Sequence, residues 1–70
     1  MPIINIDMIA GRTLDQKRNL VKSVTKVVCE SIGTTPDRVK IKLNDMKPEN
    51  YAISGELIAD QEDPFGKKKL

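Results

Sequence analysis

From Pro2 to Ile9 the chain alternates. Ile4, Ile6 and Met8 recur at period two on one face, while Ile3, Asn5, Asp7 and Ile9 occupy the other. This spacing predicts a strand with one strongly apolar face and one mixed face. Ala10-Gly11-Arg12 is a short connection, after which the period changes. Leu20, Val21, Val24, Val27, Val28 and Ile32 follow at helical spacing as one continuous apolar stripe. Thr13-Leu14-Asp15-Gln16 reads as a capping box, with the Thr13 hydroxyl accepting from the Gln16 amide and the Gln16 side chain reaching back. Asp15 in the first turn suits the helix dipole, and Gly33 is placed as the C-terminal stop. A helix from about residue 14 to 32 is predicted.

Thr35-Pro36-Asp37 reads as a turn, with proline at a preorganised position. Val39 to Asn44 alternates again and predicts a second strand, with Val39, Ile41 and Leu43 toward the helix and Lys40, Lys42 and Asn44 away from it. Met46 to Asn50, with Pro48, reads as a loop. Tyr51 to Ile58 reads as a short hairpin, its turn spanning Ala52-Ile53-Ser54-Gly55. Residues 1–62 form one domain in this reading, and 63–70 form a polar, flexible tail with the run Lys67-Lys68-Lys69. The unit is strand–helix–strand, an α/β (α+β) arrangement whose crossover makes the two strands parallel. Two strands do not form an independently stable sheet. The face bearing Ile3, Lys40 and Lys42 therefore needs a partner layer. The expected solution is that chains pair their sheets edge to edge and that such dimers stack face to face.

Composition sharpens this expectation. A 70-residue chain has a small core, and disulfides, a metal or oligomerisation usually make up the shortfall. One cysteine, Cys29, allows no intrachain disulfide, and with no histidine it makes no zinc site. Oligomerisation is the staple that remains. A net charge of +2 with a single Tyr, a single Phe and no Trp gives little basis for a nucleic-acid surface. The N-terminus lacks the pattern of a signal peptide, and no apolar stretch approaches membrane-spanning length. A cytoplasmic protein is expected.

The candidate chemistry centres on Pro2. A small second residue favours removal of Met1, which would leave a free secondary amine on Pro2, both a base and a nucleophile. Arg12 lies on the loop before the helix, and Lys40 on the strand face opposite it. Positive neighbours and partial burial both disfavour the protonated amine and lower its pKa, which suits it to general-base work near neutrality. The same cations can hold a carboxylate, Arg12 through a bidentate grip. Holding a carboxylate and polarising an adjacent carbonyl acidifies the neighbouring C–H, which is the chemistry of keto–enol tautomerisation.

These residues carry a resemblance. Pro2 after Met1, the Gly11-Arg12-Thr13 turn, the run Asp15-Gln16-Lys17-Arg18-Asn19-Leu20, the Val39-Lys40-Ile41 strand, Met46 and the Tyr51–Glu56 segment together resemble the 4-oxalocrotonate tautomerase family, over residues 2 to about 60. The resemblance implies a β-α-β subunit, assembled as a homohexamer (a trimer of dimers), with neither metal nor organic cofactor. It implies that Pro2 is the catalytic base, that Arg12 binds a substrate carboxylate, and that sites are built from more than one subunit. Tyr51 stands where the family has phenylalanine in an apolar wall, and Lys40 stands at the family's second arginine. Lysine keeps that charge but loses the planar fork. Both departures count against 4-oxalocrotonate-type dicarboxylates as the natural substrate.

Other classes fit parts of the pattern. A hydratase or dehalogenase of the same superfamily needs a carboxylate to activate water, for which Glu49 and Glu56 are the candidates. A non-catalytic oligomeric module keeps the apolar pattern without needing a free Pro2 amine. A ribbon–helix–helix DNA-binding protein requires two helices after the strand, whereas residues 34–58 read as turn, strand and hairpin. Tyr51 alone reads as interface filler, Lys40 as an intersubunit ion-pair residue, and Cys29 as a small half-buried helix residue.

Overall fold

The structure is a computed structural model that describes residues 1–61. The expected tail at 63–70, with its Lys67–Lys69 run, lies outside the described residues. The element order is β1 (Ile3–Ile9), α1 (Leu14–Ile32), β2 (Lys40–Met46), β3 (Ala52–Ile53) and β4 (Glu56–Leu57). Single 3-10 turns stand at Pro36–Arg38, Pro48–Asn50 and Ile58–Asp60. β1 and β2 form one two-stranded sheet and β3 and β4 another. No second helix follows α1 among the described residues, so the ribbon–helix–helix arrangement does not form. Contacts divide the chain into two compact units, Met1–Ile6 with Gly11–Leu43, and Asp7–Ala10 with Asn44 onward.

In the first unit the helix begins and ends where its capping chemistry dictates. Thr13 is the extended N-cap. Its Oγ1 accepts from the Gln16 amide at 3.1 Å, and the Thr13 amide donates to Gln16 Oε1 at 2.8 Å. Two of the orphan donors of the first turn are thereby satisfied reciprocally. At the other end Gly33 adopts a left-handed conformation with φ 70°, and its amide donates to the Cys29 carbonyl at 3.0 Å. Leu20, Val21, Val24 and Val28 are half-buried, as their spacing predicts. The stripe is narrower than expected, however, because Val27 is 58% and Ile32 62% exposed. They lie at opposite edges of the 100°-per-residue helical projection, where a single sheet does not reach.

β1 exposes Ile3, Asn5 and Asp7 and half-buries Ile4, Ile6 and Met8, reproducing the predicted alternation. In β2, Ile41 and Leu43 are half-buried, and Lys40 and Lys42 are exposed. The second strand starts one residue later than its pattern suggests and runs two residues further. Val39 bonds back to the Pro36 carbonyl at 3.2 Å rather than joining the ladder, while the Met46 carbonyl accepts from Ala10 at 2.8 Å and keeps the strand paired.

In the second unit, Ala52 pairs with Leu57 and Ile53 with Glu56, so the hairpin turn is only Ser54-Gly55. The broader turn expected over Ala52–Gly55 is corrected by the left-handed φ of both central residues, 54° at Ser54 and 80° at Gly55. That two-residue geometry matches the twist of antiparallel strands and lets Ala52 and Ile53 pair. Ile58, in the following 3-10 turn, is 4% exposed, the one buried hydrophobic residue among those described. Its amide donates to the Tyr51 carbonyl at 2.8 Å.

Candidate active site

Pro2 is half-buried immediately before β1. Its carbonyl accepts the Lys40 amide at 3.0 Å. In a parallel ladder this bond sets Ile3 beside Lys40, so the first residue of β2 sits at the Pro2 end of the sheet. The proline that the sequence singles out and the cation expected to serve it therefore meet through the backbone. Lys40 is exposed, and its Nζ donates to the Asp37 carbonyl at 3.2 Å. An ammonium has three donors and no acceptor. One donor turned to Asp37 leaves two for an incoming carboxylate.

Arg12 belongs to the same unit, on the connection before the helix. Gly11 precedes it with φ 135°, a conformation open to glycine, and Thr13 follows it as the N-cap. The arginine is exposed. Its place is thus set by a strand end on one side and a fixed cap on the other. Tyr51 belongs to the second unit, where it follows the Pro48–Asn50 turn and is exposed. The structure brings Pro2 and Lys40 together. It places Arg12 in their unit and Tyr51 in the other.

Two hydrogen-bonded groups near these residues are not foreseen from the sequence. The first is the Asp37 carbonyl that holds Lys40. The second is the side-chain bond in the same turn, from Thr35 Oγ1 to Asp37 Oδ1 at 2.6 Å. The Thr-Pro-Asp tripeptide marks the turn, but the bond runs from hydroxyl to carboxylate and not to the backbone as in the recurring Ser and Thr turns. Glu49 and Glu56, the carboxylates considered for activating water, are both exposed and lie in the second unit. Among the described residues no group of three or more His, Cys, Asp or Glu is arranged to hold a metal, and no helix is long and apolar enough to cross a membrane.

The β-α-β subunit with its short C-terminal hairpin is the fold of a small tautomerase. The chain matches the tautomerase enzyme family over residues 2–61 and belongs to it. Among its relatives is the 2-hydroxymuconate tautomerase of Bacillus subtilis strain 168, 37% identical over 62 residues that span 89% of this chain and 100% of the relative. Its fold matches the crystal structure of YwhB, a homologue of 4-oxalocrotonate tautomerase, at 36% identity with a TM-score of 0.83, over 87% of this chain and all of that one. It also shares its fold with a heterohexameric 4-oxalocrotonate tautomerase from Chloroflexus aurantiacus, TM-score 0.82 at 20% identity, over 86% of this chain and 97% of that one.

Proposed function

We propose that this tautomerase interconverts the enol and keto forms of small 2-oxo or 2-hydroxy-unsaturated carboxylic acids, with the amine of Pro2, freed by removal of Met1 in the cytoplasm, as the general base. The amine takes the proton of the enol hydroxyl, the electrons move through the conjugated system, and a proton is delivered to carbon, so the reaction is an isomerisation with no net loss of atoms. Arg12 grips the substrate carboxylate with its planar fork. Lys40 adds a second positive charge, and Tyr51 is assigned, by resemblance to the family alone, to an apolar wall. The observation that carries this reading is the bond between the Pro2 carbonyl and the Lys40 amide at 3.0 Å, which joins the proposed base to the strand bearing the second cation. The reading calls for neither metal nor organic cofactor.

The site is proposed to be complete only in an oligomer, a homohexamer by resemblance to the family. Ile3 is 69% exposed on the sheet face away from the helix. With Ile58 the single buried hydrophobic residue among those described, further burial has to come from other copies of the chain. The chemistry of the Bacillus relative supplies the first probe. Intact mass should show a protein lacking Met1. Ketonisation of 2-hydroxymuconate and of a monocarboxylate enol such as phenylenolpyruvate should be catalysed by the wild type and lost in Pro2→Ala. Equal activity in both proteins would refute the assignment of the base.

A further inference from the structure

Lys40 is tied into a short chain of bonds that begins five residues earlier. Thr35 Oγ1 donates to Asp37 Oδ1 at 2.6 Å, a short bond to an ionised acceptor. The Arg38 amide donates to the Thr35 carbonyl at 3.0 Å and the Val39 amide to the Pro36 carbonyl at 3.2 Å. Pro36 fixes one backbone angle of the same turn. The turn therefore has its conformation set three times over, by a ring, by two backbone bonds and by a side-chain bond. Its Asp37 carbonyl points at Lys40 Nζ, 3.2 Å away. The next backbone donor, the Lys40 amide, is bonded to Pro2. Every link lies in the first unit.

We propose that the Thr35–Asp37 bond is a positioning device for Lys40: it holds the turn whose Asp37 carbonyl fixes the lysine ammonium at the Pro2 end of the sheet before a carboxylate arrives. The proposal rests on the reading of Lys40 as a carboxylate contact, whichever copy's Pro2 it serves in the assembly. The physical reason for such a device lies in the side chain itself. A lysine stem is flexible, and immobilising it on binding costs affinity that a preset conformation recovers. An arginine brings a rigid planar fork with it and loses less freedom for each bond formed. A tautomerase with lysine here gains more from a fixed turn than one with arginine would. Thr35 and Asp37 are thus positioning residues that act through Lys40.

The test combines a spectroscopic arm with a kinetic one. In the wild-type oligomer, NMR of the Lys40 side chain should show two inequivalent ε-methylene protons, the mark of a held stem. Thr35→Val keeps the shape but removes the hydroxyl, and should average them; Thr35→Ser should restore them. Kinetically, Thr35→Val should raise KM for phenylenolpyruvate about threefold to tenfold with kcat little changed, the pattern of lost ground-state and transition-state binding alike, and Thr35→Ser should recover it. In a Lys40→Met background the same Thr35→Val change should have no further effect on KM, because the pathway through the ammonium is gone.

An unchanged Lys40 signal in Thr35→Val would overturn the proposal whatever the activity. So would an equal KM effect with and without Lys40, since the bond would then act on the fold at large. Loss of the function reading is recognised separately, by full activity in Pro2→Ala. In that case the spectroscopic arm still reports on the turn, while the catalytic meaning given to it falls with that reading.

Discussion

Asn44 donates from its side-chain amide to the Asp7 carboxylate across the parallel strands at 2.7 Å. The two residues are directly opposite one another, because the ladder that sets Ile3 beside Lys40 also sets Ile9 beside Met46, where the Ala10 amide reaches the Met46 carbonyl. Parallel strands have no hairpin to set their register, so side-chain pairs and the apolar pattern must do it. A slip by one residue would separate Asp7 from Asn44 and turn Ile4 and Ile6 outward together. Asn44→Ala is expected to destabilise the protein by about 1 kcal/mol, the usual range for a hydrogen bond to a charged partner reduced by exposure. Urea unfolding at fixed protein concentration measures it. A Cm equal to that of the wild type would show the pair to be without energetic weight.

The helix cap makes a second, separate prediction. Thr13 and Gln16 satisfy each other's backbone donors, so Thr13→Ala removes the hydroxyl that accepts from the Gln16 amide, leaves the Thr13 amide on Gln16 Oε1, and is expected to cost about 1 kcal/mol. Gln16→Ala removes the other half and keeps the Thr13 hydroxyl as the N-cap acceptor, so it should cost less. At the other end, a Cβ on Gly33 would meet no atom within 4 Å, so the whole effect of Gly33→Ala comes from its φ of 70°. That conformation costs an L-residue about 1 kcal/mol. Thermal unfolding of the three variants at one protein concentration should rank Gln16→Ala above Thr13→Ala in Tm, with Gly33→Ala also below wild type.

The parts legible in the sequence are those where local chemistry and pattern agree. Thr13-x-x-Gln16 marks the helix start, Gly33 marks its end, and the alternation of Ile4, Ile6 and Met8 separates the two faces of β1. The illegible parts depend on distant partners. The extra length of β2 comes from Ala10, more than thirty residues earlier in the chain. Ala52 and Ile53 carry no turn signal of their own; they join the expected turn because Ser54 does not advertise its left-handed φ as an asparagine or glycine would. In the site, residue types announce Pro2 and Arg12, but that Lys40 rests on a backbone carbonyl of the preceding turn is invisible in side-chain identity alone.

Arg12 separates carboxylate recognition from proton transfer. With the guanidinium as the bidentate grip, Arg12→Ala should lower kcat/KM for an enol acid by about tenfold to a hundredfold, chiefly through KM, because charge-assisted bonds of this kind contribute roughly 1.5–3 kcal/mol each. Arg12→Lys should recover only part of the loss, since an ammonium lacks the fork. Steady-state ketonisation of a carboxylate substrate and of its methyl ester gives the control. The ester lacks the anion, so its smaller rate should fall little in Arg12→Ala. An equal drop for acid and ester would assign Arg12 to the fold instead of the substrate.

Self-association has a testable surface on the helix. An open apolar groove of about 470 Å³ is lined by Val21, Thr25, Cys29 and Pro36, with Lys22 and Glu30 among its charged residues. Lys22 and Glu30 lie symmetrically about Lys26 along α1. An antiparallel second copy centred there would place each Lys22 against the other copy's Glu30, two complementary pairs about a two-fold axis, and would require the two Lys26 ammonium groups, which also line the groove, to turn outward from that axis. Lys22→Glu and Glu30→Lys alone each set like charges against one another and should weaken association, with sedimentation velocity showing smaller species at low micromolar concentration. The double exchange restores opposite signs and should restore the wild-type coefficient. Because the site is proposed to draw on more than one chain, activity per subunit should follow the sedimentation result in all three variants. Single variants that sediment as the wild type would show that Lys22 and Glu30 do not meet across an interface between copies.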